Sequence, residues 1–289
     1  MKKKATFIVA LACALCLGMF VLSGCSSSGS DSGSTDSSSS TESSNAGTLS
    51  DGIFRVGFDQ DFPPYGYVDE ETGEYTGFDL DLAAEVCNRN GWTIKYVPIN
   101  WDSKDLELES GTIDCIWNGF TIEGREDGYT FTDPYMDNSQ VIVTRTDSGI
   151  NSLSDLSGKT VEVQADSAAA ALLSEDGDQA ELASTFGSIQ TIGEYNTAFM
   201  DLESGACDAI AIDLPVAKFN TQDKTDTFKI LDEQLSSEHY GVGFKKGNTE
   251  LRDKVQDTLI EMVNDGTVET ICEKYADQGI SYDQWILGK

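Results

Sequence analysis

The sequence predicts an α/β fold made of two similar lobes, each a mostly parallel sheet flanked by helices. Strand-like and helix-like segments alternate along the folded part of the chain, an order that places helices on the faces of parallel sheets. The same order of elements then occurs a second time, and one short sequence pattern recurs with it. Together these observations predict two α/β units of similar design.

The first unit contains three strands and two helices. Apolar residues alternate at 53–58, as in a half-buried strand, and the stretch 78–87 has helical spacing that ends at Asn90 and Gly91. The remaining segments are a strand at 92–99, a short helix at 104–110 and a strand at 113–117. The predicted order is therefore β-α-β-α-β.

The second unit repeats this order, with strands at 160–163, 188–192 and 209–212 and helices at 167–174 and 196–204. The pattern L-E-S-G-x-x-D-x-I begins at Leu108 in the first unit and at Leu202 in the second. It describes a helix that ends at a glycine in the left-handed conformation and is followed by a buried strand. Chance similarity of two such segments is the alternative, but the repeated element order favours two related lobes.

Residues 1–24 predict a signal peptide. Three lysines precede an apolar stretch at 5–21, and Leu22-Ser23-Gly24-Cys25 follows, which resembles a bacterial lipobox. A transmembrane helix is the alternative, but the apolar stretch is short and small residues flank it. We therefore expect an extracytoplasmic protein that is anchored to the cell membrane through lipidated Cys25.

Residues 25–48 predict a flexible tether. Serine is the commonest residue in this stretch, which has too little apolar surface to offset the conformational entropy lost on ordering. A flexible chain of this length spans roughly 25–30 Å, enough to hold a domain away from a bilayer. The folded part is therefore expected at 49–289.

The composition excludes several kinds of partner and site. Lysine and arginine number 19 against 50 acidic residues, and the formal net charge of −31 argues against nucleic acid or an anionic membrane surface as a partner. His239 is the only histidine, which excludes a histidine-clustered zinc site and leaves little support for a Ser-His-Asp triad. Cys13 and Cys16 form a CxxC pair inside the predicted signal peptide, and the other cysteines form none. We expect no metal and no cofactor.

Polar residues follow the last strand of each unit. Asn118, Gly119 and Thr121 come after the first of these strands, and Asp213 ends the second. In open parallel sheets, ligands bind beyond the carboxyl ends of the strands. Two such ends facing each other predict a binding cleft between the lobes.

Several motifs occur together between residues 52 and 275, at 55–59, 62–65, 77–83, 111–114, 131–135, 156–161 and 240–244. With these motifs the chain resembles the polar amino-acid-binding proteins of ABC importers, family 3 of the extracellular solute-binding proteins. The resemblance implies the type II periplasmic-binding fold, in which two lobes close like a Venus flytrap on a two-strand hinge. It also implies a polar or cationic L-amino acid as ligand and an ABC permease as membrane partner. We expect a monomer.

Proteins of this family cross between lobes twice, which is expected here near residues 143–147 and 236–240. Lobe 1 would then comprise 49–144 and 238–289, and lobe 2 would comprise 145–237.

The resemblance implies that Arg125 and Ser167 hold the ligand carboxylate. A guanidinium offers a carboxylate two parallel N–H bonds, and backbone N–H groups at the turn before a helix also bind anions. Relatives usually have one more residue, with a proline, between Thr121 and this arginine, and often have glycine where Asp166 stands. A surface charge is the alternative for Arg125, and an ordinary N-cap is the alternative for Ser167.

The resemblance implies that Asp213 pairs with the ligand ammonium, helped by the Thr121 hydroxyl and by the carbonyl of Asn118 or Gly119. The alternative for Asp213 is an N-cap for the segment that begins at Leu214 and Pro215. In relatives, an aromatic residue at the position of Phe62 stacks on the ligand, and an acid at the position of Asp59 lies near the end of its side chain.

An enzyme is the alternative function, a dehydratase of the cyclohexadienyl type on the same scaffold. No nucleophile–base pair, phosphate-binding glycine loop or metal cluster in the sequence supports it, so we expect no catalytic residues. A sensor module is a further alternative, disfavoured because such modules normally carry a transmembrane helix and an output domain. We also expect free, buried thiols at Cys87, Cys115, Cys207 and Cys272, because they lie at apolar-periodic or strand positions.

Overall fold

The computed structural model describes residues 49–289. The predictions for the signal peptide, the tether and Cys25 fall outside these residues.

The first part of the described chain contributes four strands to a five-stranded sheet and also forms a three-stranded ribbon and two α-helices. The elements are β1 Ile53–Phe58, β2 Asp61–Phe62, β3 Gly66–Val68, β4 Tyr75–Thr76, α1 Phe78–Asn90, β5 Thr93–Pro98, α2 Lys104–Ser110, β6 Cys115–Ile116 and β7 Tyr129–Phe131. The ribbon is β2-β3-β4.

The second sheet follows, and the chain then returns to the first. Its elements are β8 Met136–Arg145, β9 Thr160–Gln164, α3 Ala168–Leu172, α4 Ala180–Ala183, β10 Ser188–Ile192, α5 Tyr195–Ser204, β11 Ala209–Asp213, α6 Leu214–Thr221 and β12 Phe228–Tyr240. The return contributes β13 Gly243–Lys245, α7 Thr249–Asn264 and α8 Thr267–Lys274.

The two sheets have the same design. The first has the order β5-β1-β6-β13-β7 and the second the order β10-β9-β11-β8-β12. In each of these orders, the first three strands pair in parallel. The last two strands each pair antiparallel with the strand before them. The predicted two-lobed α/β fold is therefore confirmed, with sheets that are mixed rather than purely parallel.

The recurring sequence pattern has the same structure in both lobes. Helices α2 and α5 end at Gly111 and Gly205, whose φ angles are 77° and 82°. The aspartate of the pattern then ties the next strand, β6 or β11, to the parallel strand beside it, β1 or β9. Asp114 Oδ2 accepts from the Arg55 backbone N–H at 2.7 Å, and Asp208 Oδ2 accepts from that of Thr160 at 2.9 Å.

The strands β8 and β12 pair along their length and connect the lobes. Tyr240, at the end of β12, pairs with Met136 and also bridges to Thr121 of the first lobe. The first crossing thus begins at Met136, before the expected stretch 143–147, because β8 is one continuous strand that already belongs to the second sheet. The second crossing ends where β12 ends, at Tyr240.

One apolar core includes residues of both sheets, and a second lies around β9. Phe54, Val56 and Phe58 of β1 belong to the first together with Ile210 of β11, and Val161 of β9 belongs to the second. All five are fully buried. The four cysteines in the described part of the chain are free and buried. No helix between residues 49 and 289 has the length and apolar character needed to cross a bilayer.

Candidate functional site

A small cavity, here called the central cavity, lies between the two lobes and is lined by both. Six of the eight residues expected to bind ligand line it: Phe62, Gly119, Thr121, Arg125, Ser167 and Asp213. Trp101, Gln164 and Ala168 complete its wall. Its volume is about 10 Å³, close to the space that one water molecule needs.

Arg125 reaches the central cavity from the loop that follows β6. Its Nη1 donates to the Thr121 carbonyl at 3.2 Å, and its Nη2 donates to the Asp166 carbonyl in the other lobe at 3.2 Å. The guanidinium carbon lies 5.1 Å from the centre of the Phe120 ring. The guanidinium is thus held at the cavity by both lobes.

Asp213 ends β11 and is 4% exposed. The Asn138 amide and the Tyr240 hydroxyl both donate to its Oδ1, at 2.8 and 2.6 Å. It is also the N-cap residue of α6, but its side chain makes no capping hydrogen bond. Burial, followed by the negative charge of Glu238, raises the pKa of Asp213 to about 7. The side chain therefore lines the cavity and does not cap the helix.

Ser167 lies in the turn between β9 and α3. Its hydroxyl accepts from the Ala170 backbone N–H at 3.1 Å, so it is the N-cap of α3 as well as a wall of the cavity. In the same turn, Asp166 has a φ of 57°, the left-handed region that glycine adopts most easily. This conformation explains why glycine suits the position.

The Asp166 carboxylate pairs with Lys104 of the other lobe. Lys104 is 1% exposed, and its ammonium lies 5.3 Å from the centre of the Trp101 ring. Burial lowers the pKa of this lysine, and the hydrogen bond to Asp166 opposes that effect. Sequence reasoning missed Lys104. Lys104 lies four residues before the buried Leu108, on the same side of α2, and this spacing is the signal that could have revealed it.

Glu238, on β12, is a second acid near the cavity that sequence reasoning missed. It is 3% exposed. Its Oε1 accepts from the Thr121 hydroxyl at 2.9 Å, from the Asn138 amide at 2.7 Å and from the Gln140 amide at 2.9 Å. One carboxylate oxygen on β12 thus holds two side chains of β8 and one side chain of the loop after β6.

Gly119 and Asn118 support the cavity through their backbone. Gly119 has a φ of 57°, and its N–H donates to Asp79 Oδ2 at 2.6 Å. A Cβ at this glycine would lie 3.0 Å from the Phe62 ring. Asn118 does not line the cavity: its side-chain oxygen accepts from the Asp59 N–H at 2.8 Å.

Phe62 forms an aromatic wall that continues into the second lobe. It is 6% exposed, and its ring centre lies 6.1 Å from that of Tyr195 at the start of α5. The Tyr195 hydroxyl is buried and has no hydrogen-bond partner among the described residues.

Asp59 lines a second, larger cavity of about 610 Å³ beside the first, and Trp101 belongs to both. The Gln164 amide of the other lobe donates to Asp59 Oδ2 at 2.6 Å. Burial raises the pKa of Asp59 to about 6. Three further acids and no basic residue are among the described residues around this space: Asp102, Glu107 and Glu194. The second cavity is therefore acidic.

Comparison with known proteins agrees with this architecture. Residues 54–278 match the family of bacterial extracellular solute-binding proteins, family 3. The L-cystine-binding protein TcyJ of Escherichia coli (strain K12) is 29% identical over 227 residues, which cover 78% of this chain and 82% of that protein.

Solved structures are similar as well. A substrate-binding protein of an ABC uptake transporter from Streptococcus pneumoniae, with bound histidine, has a TM-score of 0.73 and 30% identity over 81% of this chain and 96% of that one. The ancestral amino acid-binding protein AncCDT-1, described as a precursor of cyclohexadienyl dehydratase, has a TM-score of 0.69 and 31% identity over 78% and 96%. The chain therefore belongs to the bacterial extracellular solute-binding proteins of family 3.

Proposed function

We propose that this protein is an extracytoplasmic receptor that binds an L-amino acid between its lobes and delivers it to an ABC permease. The observation that carries the proposal is the charge pattern of the central cavity. Arg125 of lobe 1 and Asp213 of lobe 2 line the same enclosed space. An α-amino acid carries one negative and one positive group on neighbouring atoms, and these two residues match them.

Each end of the zwitterion has further partners at the cavity. Ser167 lies where it can add a hydrogen bond to the carboxylate held by Arg125. Thr121 and the carbonyl of Gly119 or Asn118 would accept from the ammonium beside Asp213. Phe62 would stack on the ligand side chain, and Asp59 would meet its far end. The acidic second cavity favours a polar or cationic side chain there.

Binding would be coupled to closure of the lobes. The central cavity of about 10 Å³ is smaller than any amino acid, so the lobes must separate before a ligand enters. Several bonds already cross between the lobes: Arg125 to the Asp166 carbonyl, Lys104 to the Asp166 carboxylate and Gln164 to Asp59. A ligand that bridges Arg125 and Asp213 adds to these contacts and shifts the equilibrium towards the closed form.

The same proposal covers the membrane. Residues 1–24 would direct export, lipidated Cys25 would anchor the protein, and residues 25–48 would let the domain, as a monomer, reach the permease. Mass spectrometry of the mature N-terminus tests the anchor, which is refuted if Cys25 carries no lipid.

A dehydratase of the cyclohexadienyl type is the second candidate, favoured by the likeness to AncCDT-1. Buried carboxyl groups with raised pKa, such as Asp59 and Asp213, are the kind of group that general acid catalysis needs. We nevertheless propose a binding protein without catalytic activity, because the same groups match an amino acid. Release of phenylpyruvate from prephenate would support the enzyme instead.

The test of the binding function is a thermal-shift screen against the twenty common amino acids and L-cystine. A ligand that binds the folded state raises its melting temperature by mass action. We expect stabilisation by one or a few polar or cationic amino acids. The Asp213→Asn variant is the matched control and should lose the shift. If no amino acid stabilises the wild-type protein, the proposed function is wrong.

A further inference from the structure

The polar network behind the central cavity is larger than ligand binding alone requires. Glu238 does not line the central cavity, yet it contacts Thr121, which does, and Asn138, which contacts Asp213. Asn138 and Glu238 are directly opposed on β8 and β12, the two strands that connect the lobes. The network therefore links the hinge strands to two groups that the proposed function assigns to the ligand ammonium.

The direction of the bond between Thr121 and Glu238 is fixed by chemistry. A hydroxyl has one proton to donate and two lone pairs, whereas Glu238 Oε1 already accepts from two amide groups, those of Asn138 and Gln140, and therefore acts as an acceptor. The Thr121 proton is therefore used on Glu238 Oε1, at 2.9 Å. What Thr121 can still offer to the cavity is an acceptor. An ammonium, which has three donors and no acceptor, is the ligand group that fits it.

Asp213 is oriented through the same network. The Asn138 amide donates both to Glu238 Oε1, at 2.7 Å, and to Asp213 Oδ1, at 2.8 Å. Tyr240 donates to the same Oδ1 at 2.6 Å. With these two donors on Oδ1, the Oδ2 atom of Asp213 is the one that a ligand can use.

We propose that Glu238 is a positioning residue for the ligand ammonium: by holding the Thr121 hydroxyl and the Asn138 amide, it makes Thr121 and Asp213 acceptors at the cavity. The inference rests on the proposed amino-acid binding. It also explains how a residue that does not touch the ligand selects for an α-amino group. Without Glu238, the Thr121 hydroxyl is free to turn its proton towards the cavity and oppose an ammonium.

The alternative is that Glu238 only braces the two hinge strands. A double-mutant cycle separates the two roles. Glu238→Met removes both carboxylate oxygens and keeps the length of the side chain, and Thr121→Val removes the hydroxyl that Glu238 is proposed to orient. Thr121→Ser keeps that hydroxyl and is the control background. A brace would act independently of the Thr121 hydroxyl, whereas a positioning residue would act through it.

The measurement is calorimetric titration with L-arginine, L-histidine, L-glutamine and L-cystine. It is carried out on the folded domain with its tether, residues 25–289, and on the variants of that protein. Glu238→Met should weaken binding by about 10- to 100-fold in the wild-type and Thr121→Ser backgrounds, the usual effect of losing a hydrogen bond to a charged group. In the Thr121→Val background the further loss should be smaller, because only the effect through Asn138 and Asp213 remains. Equal losses in all three backgrounds, or no loss in the wild type, would overturn the proposal.

Two controls keep the outcomes distinct. The Glu123 carboxylate contacts the backbone N–H and the ring of His239, the residue that follows Glu238 on β12. Glu123→Gln removes that carboxylate and should leave affinity unchanged. If Glu238→Met does not fold, Glu238→Asp keeps the charge but withdraws it from Thr121 and should show the same dependence on the Thr121 background. A wild-type protein that none of the twenty common amino acids or L-cystine stabilises in the thermal-shift screen refutes the proposed function itself, before any variant is compared.

Discussion

At the scale of single residues, the charged side chains at and behind the central cavity are of two kinds. Arg125 and Asp213 line the cavity from opposite lobes and would contact the ligand. Lys104 and Glu238 are buried just outside it and hold the groups that make up its wall. Substitution of the first kind removes a binding contact, whereas substitution of the second kind disturbs the contacts that remain.

Arg125→Ala and Asp213→Ala should each nearly abolish amino-acid binding. Truncating one partner of a desolvated charge pair typically costs about 2–5 kcal/mol, because the other charge stays buried and unpaired. That corresponds to roughly 30- to 5,000-fold in Kd. Asp59→Ala should instead weaken some amino acids and spare others, because it would meet only the side chain. Calorimetry on variants shown to be folded by circular dichroism checks this, and wild-type affinity in either alanine variant would place the site elsewhere.

Affinity and stability should respond to pH in opposite directions. The pKa of Asp213 is raised to about 7 and that of Asp79 to about 7, chiefly by burial. The folded protein therefore holds protons that the unfolded chain has lost above about pH 4, so the melting temperature without ligand should fall as pH rises towards 7. An ammonium pairs with ionised Asp213, so affinity should rise over the same range, by up to about tenfold per pH unit.

Thermal melts and titrations between about pH 5 and about pH 8 measure both trends. Asp213→Asn is the control for the melts, since it lacks one of the titrating groups and should show a smaller pH dependence of the melting temperature. A ligand affinity that falls with rising pH would contradict the assigned role of Asp213.

Sequence reasoning located Asp213, Gly119 and Thr121 because parallel strands bring their carboxyl ends to one edge of a sheet. It placed Arg125, Ser167 and Phe62 only through resemblance to a family. Glu238 escaped both routes, because Ser236, Ser237 and His239 around it give no sign of burial. It is buried because β12 brings it against Thr121, 117 residues away in sequence. Such a contact is fixed by the fold and leaves no local pattern.

At the scale of elements, the turn from β9 to α3 is the piece of lobe 2 that meets lobe 1 most directly. Arg125 donates to the carbonyl of Asp166, and the buried Lys104 pairs with its carboxylate. The predicted helix at 167–174 is shorter, α3 Ala168–Leu172. The turn before it joins the wall of the central cavity to an ion pair between the lobes.

Asp166→Asn should weaken closure, because asparagine tolerates the left-handed conformation but leaves the buried Lys104 without a counterion. Losing a hydrogen bond to a charged group costs about 1.5–3 kcal/mol, and the half-exposed Asp166 side chain puts the expected loss at the lower end. The melting temperature should fall and small-angle scattering should show a larger radius.

The double variant Lys104→Met with Asp166→Asn is the control for this prediction. It removes the buried cation as well, and replacing both partners of an ion pair is often close to neutral. Recovery of stability in the double variant is the expected result. A double variant that is no more stable than Asp166→Asn would show that the ion pair does not hold the lobes together.

At the scale of the whole molecule, the duplicated sheet explains why the fold could be predicted in outline. Asp114 and Asp208 make the same bond to the neighbouring parallel strand of their own sheets, so the pattern that contains them recurs for a structural reason. The strands β8 and β12 were expected only as the two-strand hinge that the family resemblance implies. Their own sequences do not show them, because β8 is buried over almost its whole length and β12 is largely polar, and neither alternates. Their pairing depends on contacts between distant parts of the chain.

The thiols should report on unfolding and not on lobe movement. Cys87, Cys115, Cys207 and Cys272 are buried within the lobes, and none lines the central cavity. Burial raises the pKa of Cys87, Cys207 and Cys272 to about 12, so little thiolate forms at neutral pH. We expect alkylation at these sites only in denaturant, with or without ligand, as mapped by mass spectrometry. A disulfide between any two of them would contradict this.

The narrow central cavity also has a consequence for rates. Because about 10 Å³ admits no amino acid, each binding event must wait for the bonds between the lobes to break. Association measured by stopped-flow fluorescence of the cavity residue Trp101 should therefore level off at high ligand concentration, at the rate of opening, instead of rising without limit. Asp166→Asn, which loses the pair with Lys104, should raise that plateau. With weaker closure, the protein would then bind and release its ligand faster but hold it less tightly.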